Sequence, residues 1–161
     1  DTAFLRDCLS EIRTRLPDAA IGTDVIAGFP GESDAHFADT MELLAASPLT
    51  YFHVFPYSKR TGTTAAKLPD HLPQPVIRAR AKQLRDLGTQ KREAFAVAFL
   101  NQQLPVLVES TPTSDGHLVG YSRNYQRVTC AGDLALANHE IMIQTETVHE
   151  GGVLAGHHIG G

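Results

Sequence analysis

Gly22-Thr-Asp-Val-Ile-Ala-Gly-Phe-Pro-Gly-Glu32 reads as a short apolar strand that empties into a glycine-rich loop. Thr23 to Ala27 is rich in β-branched residues, Gly28 and Gly31 permit close backbone approach or a positive φ, and Pro30 stops the strand. Ser33 follows as a helix cap, and Phe37, Met41 and Leu44 recur at helical spacing between Asp34 and Ala46. Any α/β unit needs such a turn, so this stretch places a strand end and a helix start without choosing a ligand.

A second stretch, Tyr51-Phe-His-Val-Phe-Pro-Tyr-Ser-Lys-Arg-Thr-Gly-Thr-Thr-Ala-Ala66, supplies the partner. Tyr51 to Phe55 reads as a buried strand, and Pro56 ends it before a polar loop carrying Tyr57, Ser58, Lys59, Arg60 and Thr63. The order strand, helix, strand predicts a parallel pair with a right-handed crossover, so both loops sit at the carboxyl ends where such folds bind ligands.

Upstream, Thr2 reads as a cap, and Phe4, Leu5, Cys8, Leu9, Ile12 and Leu16 mark one face of a helix. Downstream, Pro69, Pro73 and Pro75 force an extended passage, after which Val76 to Leu100 turns helical, with Ile77, Leu84, Leu87, Phe95 and Phe99 near one face and Gly88 as an expected bend. The opposite face carries Arg78, Arg80, Lys82, Arg85, Lys91 and Arg92, which reads either as a solvated surface or as a polyanion contact.

Leu104 to Glu109, Leu118 to Tyr121, Gln126 to Cys130, Glu140 to Thr147 and Val153 to His157 read as five short strands, with Asp115-Gly116 turning between the first two. Five such strands suit a small barrel of the OB kind, which binds single-stranded or looped nucleic acid by stacking and phosphate contacts. Tyr121, Arg123, Asn124, Tyr125 and Arg127 supply those groups; the plainer alternative is that the tyrosines merely cover the barrel.

Charge complicates a nucleic-acid reading. Beyond residue 99 the only basic side chains are Arg123 and Arg127, against Glu109, Asp115, Asp133, Glu140, Glu146 and Glu150. That is poor for an electrostatic RNA binder, so a positive face must come mainly from the long helix. His117, His139, His149, His157 and His158 add charge only below neutral pH and lack metal-ligand spacing. Cys8 and Cys130 are far apart, form no C-x-x-C pair and read as incidental thiols of a reducing compartment, the cytoplasm by default. At 161 residues and 42% hydrophobic content the chain can form one or two small cores, and no apolar run approaches the roughly 20 residues of a membrane span.

Asp24-Val-Ile-Ala-Gly-Phe-Pro-Gly-Glu32 followed by His53-Val-Phe-Pro-Tyr-Ser-Lys-Arg-Thr-Gly-Thr-Thr-Ala-Ala66 resembles the radical S-adenosylmethionine methylthiotransferases. Residues from about 101 to 160, notably Gly120-Tyr-Ser-Arg-Asn-Tyr-Gln-Arg-Val128, resemble the TRAM domain that follows the radical barrel in that family. The resemblance implies an α/β fold in which residues 1–100 are the carboxyl-terminal portion of a radical SAM partial (β/α) barrel with a long connecting helix, and 101–161 are a small all-β OB-like TRAM barrel that binds RNA. It implies S-adenosylmethionine and two 4Fe-4S clusters in the full-length enzyme, and a tRNA anticodon arm as partner.

Family members hold the S-adenosylmethionine-cleaving cluster on C-x3-C-x2-C, which this chain lacks, so it reads as a carboxyl-terminal piece that is inactive alone. By the same resemblance, Asp24, Ile26, Gly28 and Phe55 form a wall of the cofactor pocket; Glu32 could instead be a plain carboxylate at a helix N-terminus. Arg60 in Tyr57-Ser-Lys-Arg-Thr-Gly-Thr63 resembles the tRNA-modifying branches, and His53 to Tyr57 looks closest to the enzyme acting on N6-threonylcarbamoyladenosine at position 37, whose carboxylate Arg60 would meet. Thr61 departs from the proline usual there. Alternatives are a ribosomal-protein methylthiotransferase, an isopentenyladenosine tRNA methylthiotransferase, or a non-catalytic RNA-binding module. Arg78, Lys82 and Arg85 join Tyr121, Arg123, Asn124, Tyr125 and Arg127 as expected RNA contacts. With only two barrel strands in the chain, self-association through their exposed edges is expected.

Overall fold

A computed structural model describes residues 2–160. Its contacts divide into two units, one of residues 2–17 and 21–89, the other of 18–20 and 90–160. In the first unit, β1 (Gly22–Ala27) and β2 (Tyr51–Pro56) pair in parallel, and α2 (Asp34–Ala46) connects them. Ser33 caps α2 as expected: its Oγ accepts the His36 N–H at 3.1 Å, while His36 Nδ1 accepts the Ser33 N–H in return.

Alternation along the strands sorts the side chains. Val25 and Ala27 of β1 and Phe52 and Val54 of β2 join a core with Phe37 and Leu44 of α2, Leu9 of α1 (Thr2–Arg15), and Ala81 and Leu84 of α3 (Gln74–Val97). Asp24, Ile26, His53 and Phe55 lie on the other face, exposed, with Asp24 beside His53 and Ile26 beside Phe55 in register. Parallel sheets ordinarily bury both faces; this pair buries one.

Two expectations change here. On α1 only Leu9 is buried, whereas Phe4, Leu5 and Ile12, and Leu16 just beyond the helix, are exposed, because one turn alone of the apolar stripe meets the core. Helix α3 is continuous through Gly88, whose missing side chain leaves room for Phe52: a Cβ there would stand 3.1 Å from that ring.

The larger correction is Arg80. Helical charge patterning placed it on a solvated or polyanion-binding face, yet it is 5% exposed. Its Nη1 donates to the Glu32 carbonyl and to Glu32 Oε2, both at 2.7 Å, its Nη2 donates to Asp34 Oδ1 at 2.6 Å, and the guanidinium carbon lies 5.2 Å from the centre of the Phe37 ring. Glu32 Oε2 also accepts the Gly28 N–H at 2.9 Å. Burial works against this charge, but the bonds and charges of Glu32 and Asp34 outweigh it and hold the guanidinium above its usual range.

The second unit is a closed barrel of β3 (Gln103–Val108), β4 (Leu118–Ser122), β5 (Arg127–Ala131), β7 (Val153–His158) and β6 (Glu140–His149), in that order around the wall. All pairs are antiparallel except β5 with β7. The five strands are those read from the sequence, with ends that shift by a residue or two. Val106, Val108, Leu118, Val128, Ile143 and Leu154 fill the interior together with Ala96 and Phe99 from the end of α3 and the turn after it. Thr145, fully buried, donates its hydroxyl to the Phe99 carbonyl and accepts the Gln102 N–H at 3.0 Å. The turn between β6 and β7 seats against the same stretch of chain: Gly151 donates its N–H to Glu93 Oε1 at 3.0 Å, and a Cβ on Gly152 would meet Arg92 at 2.8 Å.

The two carboxylates on Arg80 differ in exposure, their side chains being 13% exposed for Glu32 and 100% for Asp34. Glu32→Ala leaves a buried cation and the Gly28 N–H undercompensated and should cost about 3 kcal/mol in urea unfolding. Asp34→Ala should cost less than about 1 kcal/mol, as solvated pairs do. Equal losses would show that burial does not decide the energetics of this site.

Candidate functional site

Ile26 and Phe55 form an apolar pair, 54% and 52% exposed, on the open face of the first unit, and Asp24 and His53 lie one step earlier on each strand. Tyr51 packs edge-on to His53, and its ring stands where a Gly22 side chain would be. Asp24, Ile26 and Phe55 thus share one face, at the approach to the strands' carboxyl ends. Gly28 sits beyond β1 with φ +79°, and a Cβ there would lie 2.5 Å from Ile77 of α3, so its small size is already required by packing. His53, absent from the expected site set, joins that face through register alone.

At the carboxyl ends, Phe29, Tyr57 and His71 form a ring cluster, with Phe29 edge-on to Tyr57 at 5.6 Å and His71 tilted against it at 5.8 Å. The Tyr57 hydroxyl is buried and has no hydrogen-bond partner among the described residues. Arg60 is exposed in the loop after β2. Its carbonyl accepts the Thr63 hydroxyl at 2.9 Å, which shapes the loop, and its guanidinium makes no ion pair among the described residues.

Arg78, Lys82 and Arg85 are exposed along α3 at spacings that put them on one stripe. Lys82 is partly compensated by Asp86 at 2.6 Å. Lys91, expected on the same face, is partly buried, and burial pushes its ammonium down.

On the barrel, Glu140, Leu107, Tyr121 and Arg127 stand in one cross-strand row. Tyr125 stacks on Tyr121 with centroids 5.1 Å apart and planes at 25°. Arg123 is spoken for: its Nε and Nη2 donate to the two Glu140 oxygens at 2.8 and 2.7 Å. Asn124 accepts the Ser122 hydroxyl within the hairpin loop. A cavity of about 540 Å³ lies beside this row, lined by Leu107, Glu109, Tyr121, Arg123, Asn138 and Glu140. A second of about 480 Å³ lies beyond Arg127, with His117, Glu146 and His149 in its wall.

No three His, Cys, Asp or Glu side chains gather into a metal-binding group among the described residues. Cys130 is buried, which pushes its thiol up and away from the thiolate that a cluster iron needs, and Cys8 belongs to the other unit. The residues present therefore do not fit an iron-sulfur cluster. No described helix is long and apolar enough to cross a membrane.

No family model matches the chain. It is 35% identical over 132 residues, 80% of its length, to the threonylcarbamoyladenosine tRNA methylthiotransferase MtaB of Bacillus subtilis, of which it covers 29%. It is 33% identical over 141 residues, 87% of its length, to the tRNA-2-methylthio-N(6)-dimethylallyladenosine synthase of Acetivibrio thermocellus, again covering 29%. The MtaB of Aquifex aeolicus is 42% identical over 92 residues, 57% of this chain and 22% of that one. The chain thus spans less than a third of the length of the curated relatives it matches.

The barrel's surface pairs are open to titration. Hydrogen bonds from Arg123, opposed by slight desolvation, hold the Glu140 carboxyl below its usual range, and the Thr113 hydroxyl with His117 does the same for Asp115. Each group's folded-state value lies under its unfolded one, so its small contribution is present above the unfolded value and is lost as pH falls through the folded value. In an NMR titration, Arg123→Ala should return Glu140 to the ordinary range and leave Asp115 low. A low Glu140 in that variant would rule out the ion pair as the cause.

Proposed function

We propose that the chain is part of a tRNA methylthiotransferase, as the relatives it matches over most of its length are named, and that the whole protein converts N6-threonylcarbamoyladenosine at position 37 of tRNA to its 2-methylthio derivative. One observation supports the reading: a match 132 residues long is too long for either unit alone, so it takes in part of each.

Radical S-adenosylmethionine chemistry is the activity proposed for the whole protein, and the open face suits that cofactor. Ile26 and Phe55 offer flat apolar contact for an adenine ring, and the Asp24 carboxylate is an acceptor for its amino group or for ribose hydroxyls. When bound, S-adenosylmethionine would supply a methyl group and, once cleaved by an electron from a donor held elsewhere in the whole protein, a radical for hydrogen abstraction. The buried Arg80–Glu32 tie keeps the loop at the end of β1 in place. Arg60, exposed and without an ion pair among the described residues, is the proposed partner of the threonyl carboxylate. Arg78, Lys82 and Arg85 are proposed contacts to the phosphates of the tRNA anticodon arm. A second reading has support from the relative named for dimethylallyladenosine, a base that bears an alkene in place of the carboxylate.

Both readings meet at Arg60. In the full-length enzyme, Arg60→Ala should lower kcat/KM on threonylcarbamoylated tRNA about ten-fold or more, the worth of a charge-assisted hydrogen bond, and Arg60→Lys should fall between. Undiminished turnover by a well-folded Arg60→Ala enzyme, or preference for an isopentenylated tRNA, would favour the second reading. For the helix stripe, replacing Arg78, Lys82 and Arg85 with Gln should flatten the dependence of log K on log salt by about 2. An unchanged slope would remove α3 from the contact.

A further inference from the structure

We propose that the hairpin loop between β4 and β5 is a preorganised stacking platform for one unpaired nucleobase of RNA, with Arg127 as the barrel's single phosphate contact. This rests on reading the chain as part of a tRNA-modifying enzyme and says how its barrel touches the substrate.

The loop consists of Arg123, Asn124 and Tyr125, closed by Ser122 and Gln126. Four hydrogen bonds bracket it. The Ser122 N–H donates to the Gln126 carbonyl at 2.9 Å, the Tyr125 N–H to the Ser122 carbonyl at 2.9 Å, the Gln126 N–H to Ser122 Oγ at 3.0 Å, and the Ser122 hydroxyl to Asn124 Oδ1. Ser122 and Gln126 are 5% and 4% exposed, so solvent scarcely competes for these bonds.

The last position of such a three-residue loop is left-handed and ordinarily glycine. Here it holds Tyr125 at φ +66°, a conformation rare for an aromatic residue. Backbone strain of this kind persists where the surroundings impose it, and it gathers at ligand sites. What the strained position achieves is placement: the Tyr125 ring lies over Tyr121 while remaining 64% exposed. A ring that served only to cover the barrel would be buried. A fixed two-ring stack open to solvent presents a flat surface to a third ring, and bases stack on such surfaces whatever their identity.

Charge sets the balance of forces. Of the barrel's two guanidinium groups, that of Arg123 is bound at both ends by Glu140. Arg127, beside Tyr121 in the β4–β5 register, is exposed and makes no ion pair among the described residues. Six carboxylates share this part of the chain, so a continuous phosphate track is disfavoured, and a duplex, whose bases are already stacked, has nothing to place on the platform.

The test is fluorescence anisotropy of the 161-residue chain with a labelled RNA hairpin bearing an unpaired loop, and with a fully paired RNA duplex, across a salt series. The wild-type chain should prefer the hairpin. Tyr125→Asn, whose side chain tolerates the left-handed backbone but lacks the ring, should bind the hairpin about five-fold or more weaker with the same salt slope, and Tyr125→Phe should recover most of that loss. Arg127→Gln should reduce the slope by about 0.7. Ser122→Ala, which keeps both rings but removes two of the bracketing bonds, should also weaken binding. Wild-type affinity in Tyr125→Asn, or equal affinity for hairpin and duplex, would overturn the platform alone. A wild-type chain that binds neither RNA would overturn both the platform and the assignment of the barrel to the substrate.

Discussion

The first unit is organised by one buried guanidinium. Arg80 comes from α3, but its planar fork reaches the carboxylate and carbonyl of Glu32 and the first residue of α2, while Glu32 holds the amide of Gly28 at the point where β1 ends. Apolar contacts between Ile77 and this turn bring the elements together without direction; the fork adds direction, because its donors accept only one arrangement of the oxygens. The exit of β1, the start of α2 and the position of α3 are therefore settled together. The face of β1 and β2 proposed to hold a ligand lies next to this junction and inherits its rigidity.

In the barrel, the same problem has a neutral solution. A helix end leaves carbonyls and amides without partners, and the turn after α3 ends inside an apolar interior. Thr145 answers with two groups: its carbonyl accepts the Asn101 N–H at 3.1 Å, and its hydroxyl serves the Phe99 carbonyl and the Gln102 N–H. A valine of nearly the same shape would fill the space and strand those groups.

How far the residues disclosed this can be read from particular positions. The seven strands announce themselves as short apolar or β-branched runs bounded by turn residues, and Ser33 announces α2, because those signals are local. Arg80 sits at a helical spacing shared with surface cations, and its partners lie 48 and 46 residues away. No periodicity separates it from Arg78. Likewise nothing near Arg123 announces Glu140, 17 residues on, which the barrel wall brings to its guanidinium. Tyr125 was legible as a candidate stacking ring but not as a strained one, since its positive φ is set by the hydrogen bonds of the hairpin loop and not by its own residue type. Asp24, Ile26 and Phe55 could be put on one face by counting alternate residues; that His53 stands beside Asp24 depended on the register of a parallel pair, which the residues do not state.

The barrel's strand order carries a consequence for how it comes into being. β3, β4 and β5 follow one another and pair as neighbours, but the wall closes only when β6 reaches β3 and β7 reaches β5. As the chain leaves the ribosome, a three-stranded sheet with two open edges exists before the residues that will cover them. The β5–β7 pair is parallel and cannot form as a hairpin, so the final closure waits on the carboxyl-terminal strand and is the slow, non-local step. A chain cut short within β7 would keep most of its core residues and still present β5 as an unpaired edge to any other copy.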